Sequence, residues 1–452
     1  MSFITLLVTL SLCQIAWILL GVFWVARKHD EVPLLISTLL FYVFTFRFWT
    51  LLQGWASPVD LSNFGFDPVD AKGALDVQAI ATLGETVLLS VYMLAQRRRI
   101  DVPDKLASPE LLDWLKPRLF ALGVICVLVS LLARWFVGAQ IASGRSMGFE
   151  VSSYSSLFPL SLVGVAILIA GLWKSGAFHA QGEGFVAFAL FAAIIYLTFQ
   201  ASLRFQFLGW CVAVTIILSS GQSFVRRAQV LAIGLVGAVG LFAVAGTLRN
   251  DEDPTVVLEQ SAWERFAFAQ DANMLDGFVL LRQVYPRLLD YSHGREHLEI
   301  FERPIPRAWW PDKPVGGYMN KLGIITADTG FTLGISPSLF GSFYQEGGLV
   351  GVLLLSIIYG FGFGSLVSFS TRIVPLAGLL IRGILAAAIV PLLRGGDLPG
   401  IYAWFGMSFW PCFLLLWLRR REFLARIPYP QQLADGVPVR IERSRSGGHS
   451  FV

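Results

Sequence analysis

Apolar runs of about 18 residues or more recur along this chain, separated by short polar stretches, and that recurrence constrains the fold more than any other feature. Within hydrocarbon only an α-helix or a closed barrel pairs its own backbone N–H and C=O groups. Barrel strands alternate polar and apolar residues with a period of two. The runs here are longer and uniformly apolar, which leaves helices. The composition agrees, with 55% hydrophobic and 15% charged residues in 452 and a mean hydropathy of +0.64. Soluble domains carry about 25% charged residues. The predicted fold class is an all-α polytopic membrane protein of about eleven spans, at 3–25, 33–53, 77–95, 119–138, 156–173, 184–201, 206–221, 230–248, 349–369, 376–393 and 400–418.

The first run, Phe3 to Val25, lacks a basic leader and a small-residue cleavage site, so it is expected to be a span and not a signal peptide. Cys13, Cys126, Cys211 and Cys412 all lie in apolar runs, and neither a disulfide nor a zinc site is expected of them. Lys and Arg cluster in alternate loops: Arg27 and Lys28; Arg97, Arg98, Arg99, Lys105, Lys116 and Arg118; Lys174; Arg226 and Arg227; then Arg419, Arg420 and Arg421. By the positive-inside rule these loops are cytoplasmic. The N-terminus is then outside and the C-terminus inside. The basic residues are orientation signals, and no nucleic-acid partner is expected.

The layout divides into spans 1–248, a large extracytoplasmic segment 249–348, spans 349–418 and a basic tail 419–452. The segment 249–348 is too long for a plain connector. It is rich in residues such as Phe266, Phe268, Leu280, Leu281, Trp309 and Trp310, unlike a disordered chain. Helical spacing is predicted from Ser261 to Leu289.

Within that segment, Pro304, Pro306, Pro311 and Pro314 stiffen a short path that carries Arg303, Arg307 and Lys313 beside Trp309 and Trp310. Arg binds phosphate bidentately and Lys acts as a point charge. Tryptophans anchor at membrane surfaces or stack on sugar rings. Interfacial anchoring and substrate binding both fit, and the rigidity favours a site.

This run, followed by Ser336-Pro337-Ser338-Leu339-Phe340-Gly341-Ser342-Phe343-Tyr344-Gln345-Glu346-Gly347-Gly348-Leu349-Val350-Gly351, resembles the Wzy-type O-antigen polymerases, the oligosaccharide repeat-unit polymerases. The resemblance in motifs covers about 50 residues of the chain. Ser202-Leu203-Arg204 stands where that family often has Gly-Ser-Arg, with Ala201 in place of the glycine. The resemblance implies a GT-C-like glycosyltransferase that joins undecaprenyl-pyrophosphate-linked oligosaccharides without metal or cofactor. A chain-length regulator, a flippase and membrane lipid are the implied partners. It implies catalytic roles for Arg204, Arg307, Arg394 and Glu346, and substrate contacts from Arg303, Trp309, Trp310, Lys313 and Tyr344.

Physical alternatives stand beside these roles. Arg204 at a helix end can snorkel to headgroups, and Arg394 can pair with Asp397. Asp276, Asp312 and Glu346 are candidates for a general base, but spacing singles out none of them, and each reads more readily as a solvated loop charge than as the base. Glu85, Arg47 and Arg134 lie within spans, where ionisable groups are costly; Glu85 is expected to pair with Arg47. His293-Gly-Arg-Glu296-His297 matches a zinc-protease spacing, but Gly294 interrupts the helix that the spacing needs, so no metal site is expected. An O-antigen ligase-like transferase shares the layout, and a transporter is the more distant alternative.

Overall fold

The computed structural model describes residues 2–103, 105–142, 158–179, 181–198, 204–250, 273–302, 305, 309–310, 317–324 and 335–425, and among them no β-strand occurs. The helices are α1 (Phe3–Lys28), α2 (Val32–Leu52), α3 (Ala71–Ala95), α4 (Pro109–Ala142), α5 (Ser161–Lys174), α6 (Gln181–Thr198) and α7 (Arg204–Ser219). They continue with α8 (Phe224–Asn250), α9 (Met274–Val284), α10 (Arg295–Glu302), α11 (Ser338–Ser370), α12 (Pro375–Arg394) and α13 (Leu398–Leu418). Seven of the described helices, α1 to α4 and α11 to α13, are long and apolar enough to cross a membrane. The other four predicted spans fall on α5 to α8. The first of these, α5, has only 14 residues, and every residue from Ser161 to Leu172 is buried. A helix that is apolar all round and enclosed by neighbours has no lipid-facing length to match.

Two packed cores meet at α12. One gathers α1, α2, α3, α9 and α11 with the Leu385–Leu393 end of α12. The other gathers α4 to α7 and α13 with the Leu376–Ile384 end. Close backbone approach joins α3 to α11: a methyl group at Gly360 would lie 2.4 Å from the Leu88 carbonyl oxygen. Small residues at helix contacts are how spans pack when lipid offers no hydrophobic drive.

The basic loops converge on one end of the bundle. Lys28 Nζ donates to the Arg97 carbonyl at 2.5 Å, and Arg227 bonds the His29 carbonyl at 2.9 Å and pairs with Glu31. There too the Leu376 N–H donates to the Leu106 carbonyl at 2.9 Å.

Two sequence expectations are corrected. Arg47 does not pair with Glu85. Its Nη2 donates to Asp276 Oδ2 at 2.7 Å and to the Ser57 carbonyl at 2.9 Å. Glu85 instead accepts from Gln14 Nε2 at 2.9 Å, in a buried network where Thr45 bonds Gln14 and Gln78 Nε2 donates to Thr45 at 2.8 Å. The reason is local: Phe41–Phe46 is wound as a π-turn, which rotates everything after it about the helix axis. The second correction concerns Asp276, which is fully buried and not a solvated loop charge. It sits on α9, whose Leu275, Phe278, Leu280, Leu281 and Val284 are buried against α2, α3 and α11. Helix α9, in the middle of the 249–348 segment, is therefore built into the bundle. Of the predicted helical stretch Ser261–Leu289, residues 261–272 lie outside the described residues, α9 covers Met274–Val284, and the chain leaves the helix in a turn over 285–289. All four cysteines are free thiols.

Candidate functional site

The feature that organises the site is a break in α11. Gly347 (φ −176°, ψ 34°) and Gly348 (φ 60°, ψ −144°) leave helical geometry, and the arm Ser338–Glu346 folds back on the arm that follows. In a straight helix Phe340 and Val352 would be about 18 Å apart along the axis. Here both side chains crowd Gly84 of α3, with Phe340 Cδ1 2.7 Å and Val352 Cγ1 3.0 Å from where a Cβ on that glycine would lie. Only glycine takes up the Gly348 conformation without strain, and a Cβ there would also meet the Tyr291 hydroxyl at 2.8 Å.

Breaking the helix frees carbonyl groups at the end of the first arm, and buried carbonyls require partners. The 292–294 turn supplies them. Ser292 N–H donates to the Gln345 carbonyl and His293 N–H to the Glu346 carbonyl, each at 3.0 Å. Gly294 N–H donates to Glu346 Oε2 at 2.5 Å. The turn leads into α10, which brings His297 onto the Glu346 side chain. His297 Nδ1 lies 2.8 Å from Glu346 Oε1, and Nε2 lies 3.0 Å from the Tyr359 hydroxyl, which is 2.5 Å from that of Tyr402. Carboxylate, imidazole and two phenols thus form one hydrogen-bonded chain. Glu346 is buried, which corrects its reading as a solvated loop charge, while the His297 side chain keeps a quarter of its surface exposed. An ionised carboxylate only accepts, so it fixes the Nδ1–H tautomer and leaves the Nε2 lone pair for accepting a proton.

The turn Arg394-Gly-Gly-Asp397 lies on the same stripe of α11. Gly396 N–H donates to Ser342 Oγ at 3.2 Å, and Gly395 bridges backbone to backbone with Ser338. Ser338, Ser342 and Glu346 recur every four residues and share a helix face. The turn therefore abuts the stripe that ends at Glu346. Arg394 itself is half-buried. Arg204 opens α7, which packs against α12 with Gly209 opposite Ala387 and Ile217 opposite Gly383. That antiparallel pairing brings Arg204 and Arg394 to the same end of the bundle, the end opposite the basic loops.

Tyr344 packs its ring edgewise on Phe278 (5.6 Å) and Tyr291 (6.0 Å), in the wall that joins α9 to α11. Trp309 is 81% exposed and Trp310 half-buried. Arg303, Arg307 and Lys313 lie outside the described residues, as does Asp312. The His293–His297 spacing does not build a metal cage. His293 is left-handed (φ 49°), and α10 begins only at Arg295. Glu296 turns to Lys321 and to Gln345 Nε2 at 2.6 Å, while His297 turns to Glu346. Burial raises the Glu296 carboxyl above its ordinary range, against the opposing pull of Lys321. Among the described residues no group of three or more His, Cys, Asp or Glu side chains is placed to hold a metal ion.

Sequence reasoning passed over Tyr359, Tyr402 and Lys321, and weighed His297 only as a metal ligand. The Gly-Gly pair after Glu346 was the one available signal for the fold-back. No family model matches this chain, and neither a curated protein nor a solved structure matches it.

Proposed function

We propose that the protein is a polysaccharide polymerase that joins lipid-pyrophosphate-linked oligosaccharide units at the outer face of the bacterial cytoplasmic membrane. The observation that carries the reading is the Glu346–His297 pair at the fold-back of α11, with Arg394 on the adjoining turn and Arg204 at the same end. An oriented imidazole with arginines at the same end of the bundle is the equipment for transferring a sugar from a pyrophosphate. In the proposed step a hydroxyl of the acceptor sugar takes the place of the Tyr359 hydroxyl at His297 Nε2 and gives its proton to that nitrogen. Its oxygen attacks the anomeric carbon of the donor. The carbon–oxygen bond to the pyrophosphate breaks, and the lipid pyrophosphate leaves with the electron pair. Arg394, with Arg204 and Arg307, takes up the charge that develops on it. Arg303 and Lys313 add phosphate contacts, and Trp309 and Trp310 offer faces to the sugars. Completing the topology, α5 to α8 also cross, which gives eleven spans with the α9–α10 side outside.

Removing a donor that stabilises developing charge costs about 10²–10³ in rate. Arg307→Ala and Arg394→Ala are each expected to abolish the polysaccharide ladder in cells while the protein stays in the membrane at normal level. Arg307→Lys is expected to restore it in part, because Lys keeps the charge without the bidentate fork. Arg226→Ala, exposed at the basic end, is the control and should leave the ladder intact. A full ladder from both alanine variants would contradict the clamp.

Two simpler expectations follow from the same reading. A reporter fused after Arg99 should report cytoplasm and one inserted near His293 the outside; both on one side would overturn it. Activity should survive EDTA, since arginines take the place of a divalent ion, and loss restored by added metal would contradict that. A transporter is the second reading. The broken α11 and the buried Gln14–Glu85–Thr45–Gln78 network favour it, because discontinuous helices and intramembrane carboxyls mark substrate paths. Flux into vesicles without glycan product would select it.

A further inference from the structure

Helix α10 is amphipathic in the reverse of the sense that water demands. Its carboxylates are inside, with Glu296 1% and Glu299 4% exposed, and its large apolar side chains are outside, with Leu298 62% and Phe301 78% exposed. A helix facing water turns its charges out and its apolar stripe to the core. The buried carboxylates have partners. Lys321 pairs with Glu296 and lies 3.7 Å from Glu299, and Arg295 lies 3.9 Å from Glu299. Glu296 and Glu299 are therefore paired on the inward face, and the apolar side chains Leu298 and Phe301 are turned outward.

The level of α10 shows what covers that face. His297, one residue before Leu298 and one turn before Phe301, bonds the hydroxyl of Tyr359, eleven residues (about 16 Å) past the break into a membrane-length helix. On that arm Val350, Leu354, Ile358 and Phe361 are 56–63% exposed, as residues that face lipid are. α10 also packs against α13, another helix of membrane length. Beyond α10, Ile305 and Trp309 continue the exposed apolar set. Arg295, 69% exposed at its first position, supplies a cation for headgroup phosphates. A second copy of the chain does not fit this face. A stable interface needs about 800 Å² from each partner, and one eight-residue helix presenting two large apolar side chains falls far short of that.

We propose that α10 is an interfacial helix that seats Leu298 and Phe301 in the acyl layer of the leaflet on its side of the membrane. Phospholipid then completes the packing that holds His297. The inference concerns the placement of α10 and its test reads no activity, so it stands or falls independently of the polymerase reading.

The test places a single cysteine by Leu298→Cys or Phe301→Cys, with Cys13, Cys126, Cys211 and Cys412 replaced by serine or alanine. Asp60→Cys is the control. Asp60 is exposed in the loop whose Val59 N–H bonds Asp276 and whose Asp67 N–H bonds Gln283, so it lies at the same end. Each protein is labelled with an environment-sensitive fluorophore and reconstituted into phosphatidylcholine/phosphatidylglycerol vesicles that contain acyl-brominated lipid. Positions 298 and 301 are expected to emit blue-shifted light and to be quenched at least about threefold more than position 60. Water-like emission with no added quenching at both positions would overturn the proposal. So would efficient 301–301 disulfide formation between copies without bromolipid quenching, which would mean that a second copy covers the face.

Discussion

His297→Ala is expected to leave the protein in the membrane at its normal level and to lower polymerisation by about 10²–10⁴, the range that a positioned general base contributes. Its Nδ1 is fixed by Glu346 at 2.8 Å, and its quarter-exposed side chain is the accessible member of a chain that runs inward to Tyr359 and Tyr402. Glu346→Gln is expected to lower activity less. An amide keeps an oxygen toward Nδ1 but loses the charge that stabilises the imidazolium. Tyr359→Phe is expected to be the mildest of the three, because it removes a hydroxyl that the acceptor sugar displaces in any case. The measurement is the rate of chain extension by purified variants at equal protein. If Tyr359→Phe is as damaging as His297→Ala, the proton path runs through the phenols and Nε2 does not meet the acceptor directly.

The second large effect is on stability. Arg47→Ala is expected to destabilise the protein by about 3–5 kcal/mol, because it strands Asp276 as a buried, uncompensated charge. The pair is closed off, with Arg47 2% and Asp276 0% exposed. It ties α9 to α2, and the Val59 N–H also donates to Asp276 at 3.1 Å. Desolvation makes a buried ion pair a weak source of net stability, so removing both partners costs less than removing one. The Arg47→Ala/Asp276→Ala double variant should therefore recover a large part of the loss, read as the denaturation midpoint in detergent. An Arg47→Ala protein as stable as the wild type would mean that Asp276 is neutral or hydrated in the fold.

Much of this architecture was legible as apolar run length: every predicted span overlaps a described helix, and seven of those helices are long and apolar enough to cross a membrane. The departures have local causes. α5 was visible as an apolar run, but its enclosure by other helices, with Ser161 to Leu172 all buried, is something no local pattern records. The partner of Arg47 depended on a π-turn at Phe41–Phe46, whose residues look like any apolar helix. Asp276 was read as a solvated charge because one acid among Met274, Leu275 and Phe278 gives no sign of a cation waiting 229 positions earlier in the chain. Glu346 was singled out through a resemblance, whereas its partner lay inside a motif set aside as a false zinc signature. Both followed from the Gly347-Gly348 break, since a helix that reverses exposes carbonyls, and those carbonyls capture the turn before α10. Tyr359 and Tyr402 lie within apolar spans, where a phenol passes for packing. Arg303, Arg307 and Lys313, the most distinctive cations in the sequence, lie outside the described residues, so their share in the site rests on the sequence alone.

The most direct test of the central claim is incubation of the purified protein, reconstituted in vesicles, with a synthetic lipid-pyrophosphate-linked repeat unit as both donor and acceptor. A ladder of lipid-linked products that grows by one repeat per rung, with one lipid pyrophosphate released per bond formed, is the expected result. An untouched donor, or a single transfer onto a different added acceptor and never onto the repeat unit itself, would contradict it.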